Sequence, residues 1–370
     1  MKIIYLLRKN CFGEFAQGES FAFYARSRGA QNIFATSDQR LISIAQDDGF
    51  KIIETKNPAA TKRIIKQLKP DILFLCNSKT VFNQDAVLEI KTSPGVYTTS
   101  LDSNWLFLKQ FLKEKRNPYK VPEWINRIYV VMPPEIYKMG LIENKGHYKI
   151  SNCYKKKIFC PGFIPSGKKL NLAKKKQIRR ELNLKENEKL IFFYFGWREN
   201  PLFPKIFPKL ENIIEEFKQK GQQIKVFFKA RKKRDVRKKW LIQKAWVTTE
   251  QFDSYLASSD LVIQHHGLGT LPKIIHNQVP AICLVPEIKK DLPYYKHSEF
   301  YEIEPFQKLG LCHSLPYTVS QQKLKESIES LLYNKEEIKK MKRAQGKYFK
   351  KGEENLYNDL IKHFRDEKTG

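Results

Sequence analysis

The sequence predicts an α/β chain built from two parallel-sheet domains that face each other across a cleft. Three observations lead there. Apolar runs of strand length alternate with helix-length stretches from the N-terminus onward. That rhythm breaks at a polar segment bearing Pro and Gly, Pro161–Lys189, and then restarts. The stretch DLVIQHHGLGTLPKIIHNQVPAICLVPE, Asp260 to Glu287, reads as a buried strand, a Gly-bearing polar loop, a helix and a second buried strand.

The elements follow in order. KIIYLLR (Lys2–Arg8) is the first strand. Phe15–Arg28 is a helix ended by Gly29, and NIFAT (Asn32–Thr36) is the second strand. Ser37 or Asp38 caps the next helix, which runs to Gly49. FKIIE is the third strand, Pro58–Leu68 a helix with Pro near its start, and DILFLC (Asp71–Cys76) the fourth strand. Leu101–Lys115 reads as a helix that Ser100 or Asp102 can cap, and RIYVVM (Arg127–Met132) as a strand. Such βαβ repeats give a parallel sheet covered by helices.

In the second half, LIFFYFG (Leu190–Gly196) is as apolar as a strand covered on both faces should be. Phe207–Lys220 is a helix and IKVFFKA (Ile224–Ala230) a strand. Thr249–Ser258 is a helix capped by Thr248 or Thr249, with Glu250 and Asp253 favoured by its dipole. Thr270 opens the helix after the Gly-bearing loop, and Pro280 precedes the strand AICLV. His297–Leu309 is helical and stops at Gly310. Gln321–Leu332, Asn334–Phe349 and Glu354–Arg365 close the chain as polar helices.

Charge points to an anionic partner. The 370 residues carry 68 Lys and Arg against 39 Asp and Glu, a net charge of +29. The sharpest cluster is RKKRDVRKK, Arg231 to Lys239; Lys155–Lys157, Lys168–Lys169 and Lys174–Arg180 add to it. Candidate partners are a nucleotide, an acidic glycan or an anionic membrane surface, or else the charge is simply a solvated face. Nucleic acid is not expected, because no zinc finger, RNP block or suitably placed GxxG is present. The six cysteines stand singly, which argues against a disulfide scaffold and a zinc knuckle. Cys76, Cys160 and Cys283 lie in apolar runs and read as core residues. KIIYLLRKN is too short for a signal-sequence core, and no apolar run reaches the ~18 residues of a membrane span. The expected location is the cytoplasm, with peripheral contact to the inner face of the cell membrane as one option.

The chemistry concentrates after the strand Leu261–Ile263, in His265, His266, Gly267, Gly269 and Thr270. A loop at the carboxyl end of a parallel strand is where open α/β sheets bind ligands. Glycines let the backbone approach an anion, and a helix N-terminus presents N–H groups to it. Adjacent histidines lack the helical spacing of a zinc site, so no metal is expected. The first strand is not followed by GxGxxG, which argues against a dinucleotide-dependent dehydrogenase.

The segment SSDLVIQHHGLGTLPKIIHNQVPAICLVP (Ser258 to Pro286), its lead-in WVTTEQFDSYLASSD, the following HSEFYEIEPFQKLG (His297 to Gly310) and the earlier LIFFYFGWREN together resemble the donor-binding half of nucleotide-sugar glycosyltransferases of GT-B fold. The likeness is to the family of the bacterial cell-wall lipid N-acetylglucosaminyltransferase. It implies an N-terminal Rossmann-like acceptor domain over 1–164, a linker region over 165–188 and a C-terminal Rossmann-like donor domain over 189–350. A C-terminal helix would cover 351–370, with the option of packing back on the N-terminal domain.

The same resemblance implies an inverting, metal-independent hexosyl transfer from a nucleotide-sugar, a UDP-sugar in that family, to a hydroxyl of a glycan or lipid-linked acceptor. No cofactor beyond the donor substrate is implied. CFGEFAQGESFAFYARSRGAQNIFAT fills the frame of the family's acceptor-side loop, and its Gly-His falls on Gly13 and Glu14. Glu14 then replaces the histidine as candidate general base; Glu19 and Asp102 are alternatives. Donor contacts fall on Gly196, Arg198, His266, Gly267, Gly269 and Thr270. Ser298, Glu299 and Glu302 take the place of later sugar-contacting residues. Lys273 stands where the family has a ribose-gripping Glu, and a lysine cannot accept those hydrogen bonds. Two other readings stay open: a UDP-sugar 2-epimerase-like enzyme, and a non-catalytic basic glycan- or membrane-binding protein of the same fold.

Overall fold

The computed structural model describes residues 1–7, 12–55, 58–76, 97–102, 125–143, 156–165, 169–195, 203–229, 238–244, 247–265, 267–285 and 298–369. The chain divides into two compact units, Met1–Ser166 with Lys350–Gly370, and Gly167–Phe349.

The first unit is a parallel sheet of β1 (Lys2–Leu7), β2 (Gln31–Thr36), β3 (Lys51–Glu54), β4 (Ile72–Cys76), β5 (Tyr97–Asp102), β6 (Arg127–Val130) and β7 (Ile158–Phe159). Its strand order is β3-β2-β1-β4-β5-β6-β7. The helices between them are α1 (Phe12–Ser27), α2 (Gln39–Asp47), α3 (Pro58–Leu68) and α4 (Pro134–Glu143). β4 is buried along its whole length, as its unbroken apolar sequence requires. Tyr5 on β1 marks the centre: its ring stacks on Phe34 at 4.8 Å and Phe74 at 5.4 Å. Its hydroxyl donates to Asn32 Oδ1 at 2.9 Å, so the buried polar tip is satisfied. Helix α1 comes close to this sheet at Gly18, where a Cβ would sit 3.2 Å from Cys76 Sγ.

Helix α12 (Gly352–Thr369) belongs to the same unit. Asp359 accepts two hydrogen bonds from the Arg127 guanidinium, at 3.0 and 2.8 Å, and one from the Tyr129 hydroxyl at 3.0 Å. Gly352 opens the helix where no side chain fits, since a Cβ there would lie 2.6 Å from the carbonyl oxygens of Gly162 and Phe163.

The second unit is a parallel sheet in the order β10-β9-β8-β11-β12-β13. Its strands are β8 (Lys189–Tyr194), β9 (Ile224–Lys229), β10 (Leu241–Lys244), β11 (Leu261–His265), β12 (Ala281–Val285) and β13 (His313–Pro316). Its helices are α5 (Leu172–Glu181), α6 (Phe203–Gln219), α7 (Thr249–Ala257), α8 (Leu271–Asn277), α9 (Ser298–Lys308), α10 (Gln321–Tyr333) and α11 (Lys335–Tyr348). One face packs Ile191, Phe193, Val226 and Phe228 against Leu210, Ile213 and Phe217 of α6 and Leu324 and Ile328 of α10. On the other, Phe192 stacks on Phe227 at 5.2 Å and meets Phe252 of α7 edge-on at 5.1 Å. Each such fully buried side chain contributes about 2–3 kcal/mol. Thr248 caps α7 in a reciprocal capping box with Gln251. Helix α5, basic along most of its surface, is anchored by Arg179. That guanidinium donates to Ser258 O at 3.0 Å, to Asp260 Oδ2 at 2.9 Å and to Glu188 O.

Several expectations need correction. Leu101 and Asp102 end strand β5 instead of starting a helix, so Ser100 is not a cap; residues 103–115 lie outside the described residues. Tyr97, Thr98 and Thr99 favour an extended backbone, and β5 takes the hydrogen-bonding edge of β4, pairing Leu73 with Thr98. Helix α1 starts at Phe12 rather than Phe15. Strands β7, β10 and β13 and helix α4 come from sequence too short or too mixed to read. Cys76 and Cys283 are buried, but Cys160 is only partly so.

Candidate functional site

Both sheets carry a topological switch point. In the second unit the chain leaves β8 toward β9 on one side and later returns to β11 on the other. The carboxyl ends of β8 and β11 therefore flank the crevice where open α/β sheets bind ligands. In the first unit the same reversal occurs between β1 and β4, and α1 follows the carboxyl end of β1.

The second-unit crevice is built from His265, the loop after it and the first turn of α8. His265 ends β11 with its ring 6.1 Å from Tyr194 and 6.4 Å from Phe195, both at the end of β8. Gly267 N–H donates to His265 O at 2.7 Å, a tight turn. A Cβ on Gly267 would sit 3.0 Å from His265 Nε2, so a side chain here would require the imidazole to shift. Thr270 is the N-cap of α8, yet its hydroxyl makes no capping hydrogen bond, and Pro272 occupies the first turn. Thr270 O accepts from Lys273 N and Ile274 N, both at 3.1 Å.

Lys273 turns inward. Its side chain is 8% exposed, and Nζ pairs with Asp253 Oδ1 of α7 at 2.6 Å. The ammonium also lies 5.6 Å from the Phe252 ring centre. A second lysine, Lys229 at the end of β9, lies 5.5 Å from the same ring. Burial first, and then the charge of Lys273, push the Lys229 ammonium down to about 7. Next to His265, Gln264 is fully buried; its amide donates to Cys283 Sγ at 3.3 Å. Sequence reasoning missed Lys229, Phe252, Asp253 and Gln264. One signal was available: a lysine closing the apolar run IKVFFK at the carboxyl end of a strand.

The structure places Gly267, Gly269 and Thr270 between β11 and α8, and Lys273 within α8. Gly196, Arg198 and His266 lie outside the described residues. Ser298, Glu299 and Glu302 fall in the first turns of α9. Gly13 and Glu14 are in the first turn of α1, at the switch point of the first unit; Glu14 is partly exposed there. Glu19, one turn further on, is buried. Asp102 is the last residue of β5. Among the described residues, no three His, Cys, Asp or Glu side chains are placed to hold a metal ion. No helix of the described residues is long and apolar enough to cross a membrane.

Residues 200–356 match the sequence profile of the glycosyltransferase family 28 C-terminal domain. No curated protein matches the chain. Solved structures match it along its whole length. A candidate UDP-N-acetylglucosamine 2-epimerase from Listeria monocytogenes has 14% identity and a TM-score of 0.64, covering 99% of this chain and 97% of that one. MnaA of S. aureus, solved with UDP, has 12% identity and a TM-score of 0.65, covering 100% and 98%. MurG of Acinetobacter baumannii has 10% identity and a TM-score of 0.60, covering 98% and 100%. Two helix-flanked parallel sheets with these likenesses define the GT-B fold.

Proposed function

We propose that the chain is an inverting glycosyltransferase that moves a hexose from a nucleotide-sugar, a UDP-sugar in the first instance, to a hydroxyl of a glycan or lipid-linked acceptor of the cell envelope. The observation that carries this reading is the second unit's switch point, where the loop that follows β11 lies inside the stretch that matches a glycosyltransferase C-terminal domain. In this reading residues 189–350 hold the donor, and residues 1–164 hold the acceptor.

In this reading the donor diphosphate meets the loop N–H groups, His266 and the Thr270 hydroxyl, with Gly196, Arg198, Ser298, Glu299 and Glu302 as further contacts. Glu14 takes the acceptor proton as its oxygen attacks the anomeric carbon. The bond from that carbon to the diphosphate oxygen breaks, and the nucleoside diphosphate leaves with the electron pair. Loop donors aimed at the leaving oxygens stabilise the charge that develops there. Lys273, held by Asp253, supplies positive potential beneath the loop rather than a ribose contact. A cytoplasmic location suits a nucleotide-sugar donor.

The first test is a thermal-shift screen against UDP-, GDP-, CDP- and dTDP-sugars. A donor at about 100 times its Kd stabilises the native state by about 2.7 kcal/mol. The expected result is a shift with one nucleotide class that Thr270→Ala and His266→Ala each remove. No shift with any class at millimolar concentration would move the assignment to the non-catalytic glycan-binding alternative. A second reading, 2-epimerisation of a UDP-sugar, draws on the likeness to the Listeria protein. Conversion of UDP-N-acetylglucosamine to its 2-epimer without acceptor would decide for it.

A further inference from the structure

A second charged feature stands apart from the loop. Helix α11 and the C-terminal end of α8 enclose an open groove of about 430 Å³, lined by Gln278, Lys335, Ile338, Lys339, Lys342 and Arg343. None of these side chains is acidic. The four cations are exposed, while Ile338 is half-buried, so lysine stems and an isoleucine form the floor and ammonium groups the rim.

The groove is fixed by its own polar contacts. Gln278 has a left-handed backbone (φ 52°). Its side chain accepts from Lys169 Nζ at 2.5 Å and donates to Lys342 O at 3.0 Å. These bonds tie the segment before α5 to α8 and α11. Lys175 of α5 adjoins the same charges. Burial, then Lys342 and Lys169, push its pKa down, against a smaller opposing pull from Asp260. One turn before Lys175, on the same face of α5, stands Leu172. It is 70% exposed and is the one exposed large hydrophobic among the described residues. Glu337, the carboxylate nearest in sequence to Ile338, is engaged by Lys340 at 3.8 Å.

A soluble polyanion needs only the cations. Cations surrounding a projecting leucine and an apolar floor match the headgroup and upper acyl layers of an anionic bilayer. We propose that the α5–α8–α11 corner of the second unit is a docking surface for an anionic lipid bilayer. The proposal does not depend on the transfer reaction, since docking needs no donor or acceptor.

The test is co-sedimentation of the full chain with vesicles of phosphatidylcholine, with and without phosphatidylglycerol. Binding is expected only with phosphatidylglycerol and should weaken with salt. Replacing Lys339, Lys342 and Arg343 by Gln should lower partitioning about 100-fold, at about a factor of five per charge near the surface. Leu172→Ser should lower it several-fold. All four side chains are exposed, so the thermal midpoint should not move, and a variant that melts early is replaced by the single Lys342→Gln. Failure of the wild type to bind, or binding that survives the triple change, overturns the proposal. If the triple change weakens vesicle and heparin binding equally and Leu172→Ser changes neither, the partner is a soluble polyanion and the bilayer assignment is wrong.

Discussion

Replacing Asp253 by Ala should damage the second unit far more than replacing its partner Lys273 by Met. The two side chains are 15% and 8% exposed, and they meet at 2.6 Å. Without the carboxylate, the Lys273 ammonium stays buried with Lys229 close by on the same aromatic ring. Leaving one ion of a buried pair uncompensated costs about 3–5 kcal/mol. Met at position 273 keeps an apolar stem against Phe252 and leaves a carboxylate that water reaches more easily, so about 1–2 kcal/mol is expected. The double variant should cost little more than Lys273→Met alone, giving a coupling energy of about 2–4 kcal/mol. Calorimetry of the full chain reads this as a fall of about 10 °C in the second unit's transition for Asp253→Ala, at 2–4 °C per kcal/mol. A fall under about 3 °C, or strictly additive effects, would refute the reasoning.

Two further outcomes are expected. Asp359→Ala removes the bidentate partner of Arg127 and the acceptor of the Tyr129 hydroxyl. It should cost the first unit about 2–4 kcal/mol and expose the C-terminal helix to limited proteolysis, with the second unit's transition unchanged. His313 has its pKa lowered, chiefly by burial and partly by Lys340, with Glu337 opposing. Below the unfolded value near 6.5 the unfolded chain takes up the proton first, so stability is lost as pH falls from 6.5; His313→Gln should flatten that slope in denaturation measured between pH 5 and 7.

What the sequence made legible follows from where information is local. β1, β4, β8 and β12 are short, nearly pure apolar runs, and such runs read as covered strands. Asp38 and Thr248 cap their helices because a short polar side chain at a helix entrance satisfies free N–H groups without help from afar. The loop Gly267–Thr270 was found through its glycines and its place after β11. The Lys273–Asp253 pair was not: the partners lie twenty positions apart on two helices, and only packing brings them together. β5 was missed because its right to be a strand comes from the open edge of β4, not from its own YTTSLD. β13, whose His313 ring meets the Ser327 hydroxyl of α10 at 3.1 Å, likewise takes its conformation from β12.

The pairing of Met1–Ser166 with Lys350–Gly370 bears on the order of synthesis. Arg127 and Tyr129 leave the ribosome long before Asp359 exists to receive them, and the whole second unit emerges in between. The first unit therefore waits, its sheet made but its last helix absent, while Gly167–Phe349 has all the residues it needs to fold. A stall or truncation late in translation would spare the second unit and cripple the first, although the missing residues stand at the opposite end of the message from its first strand.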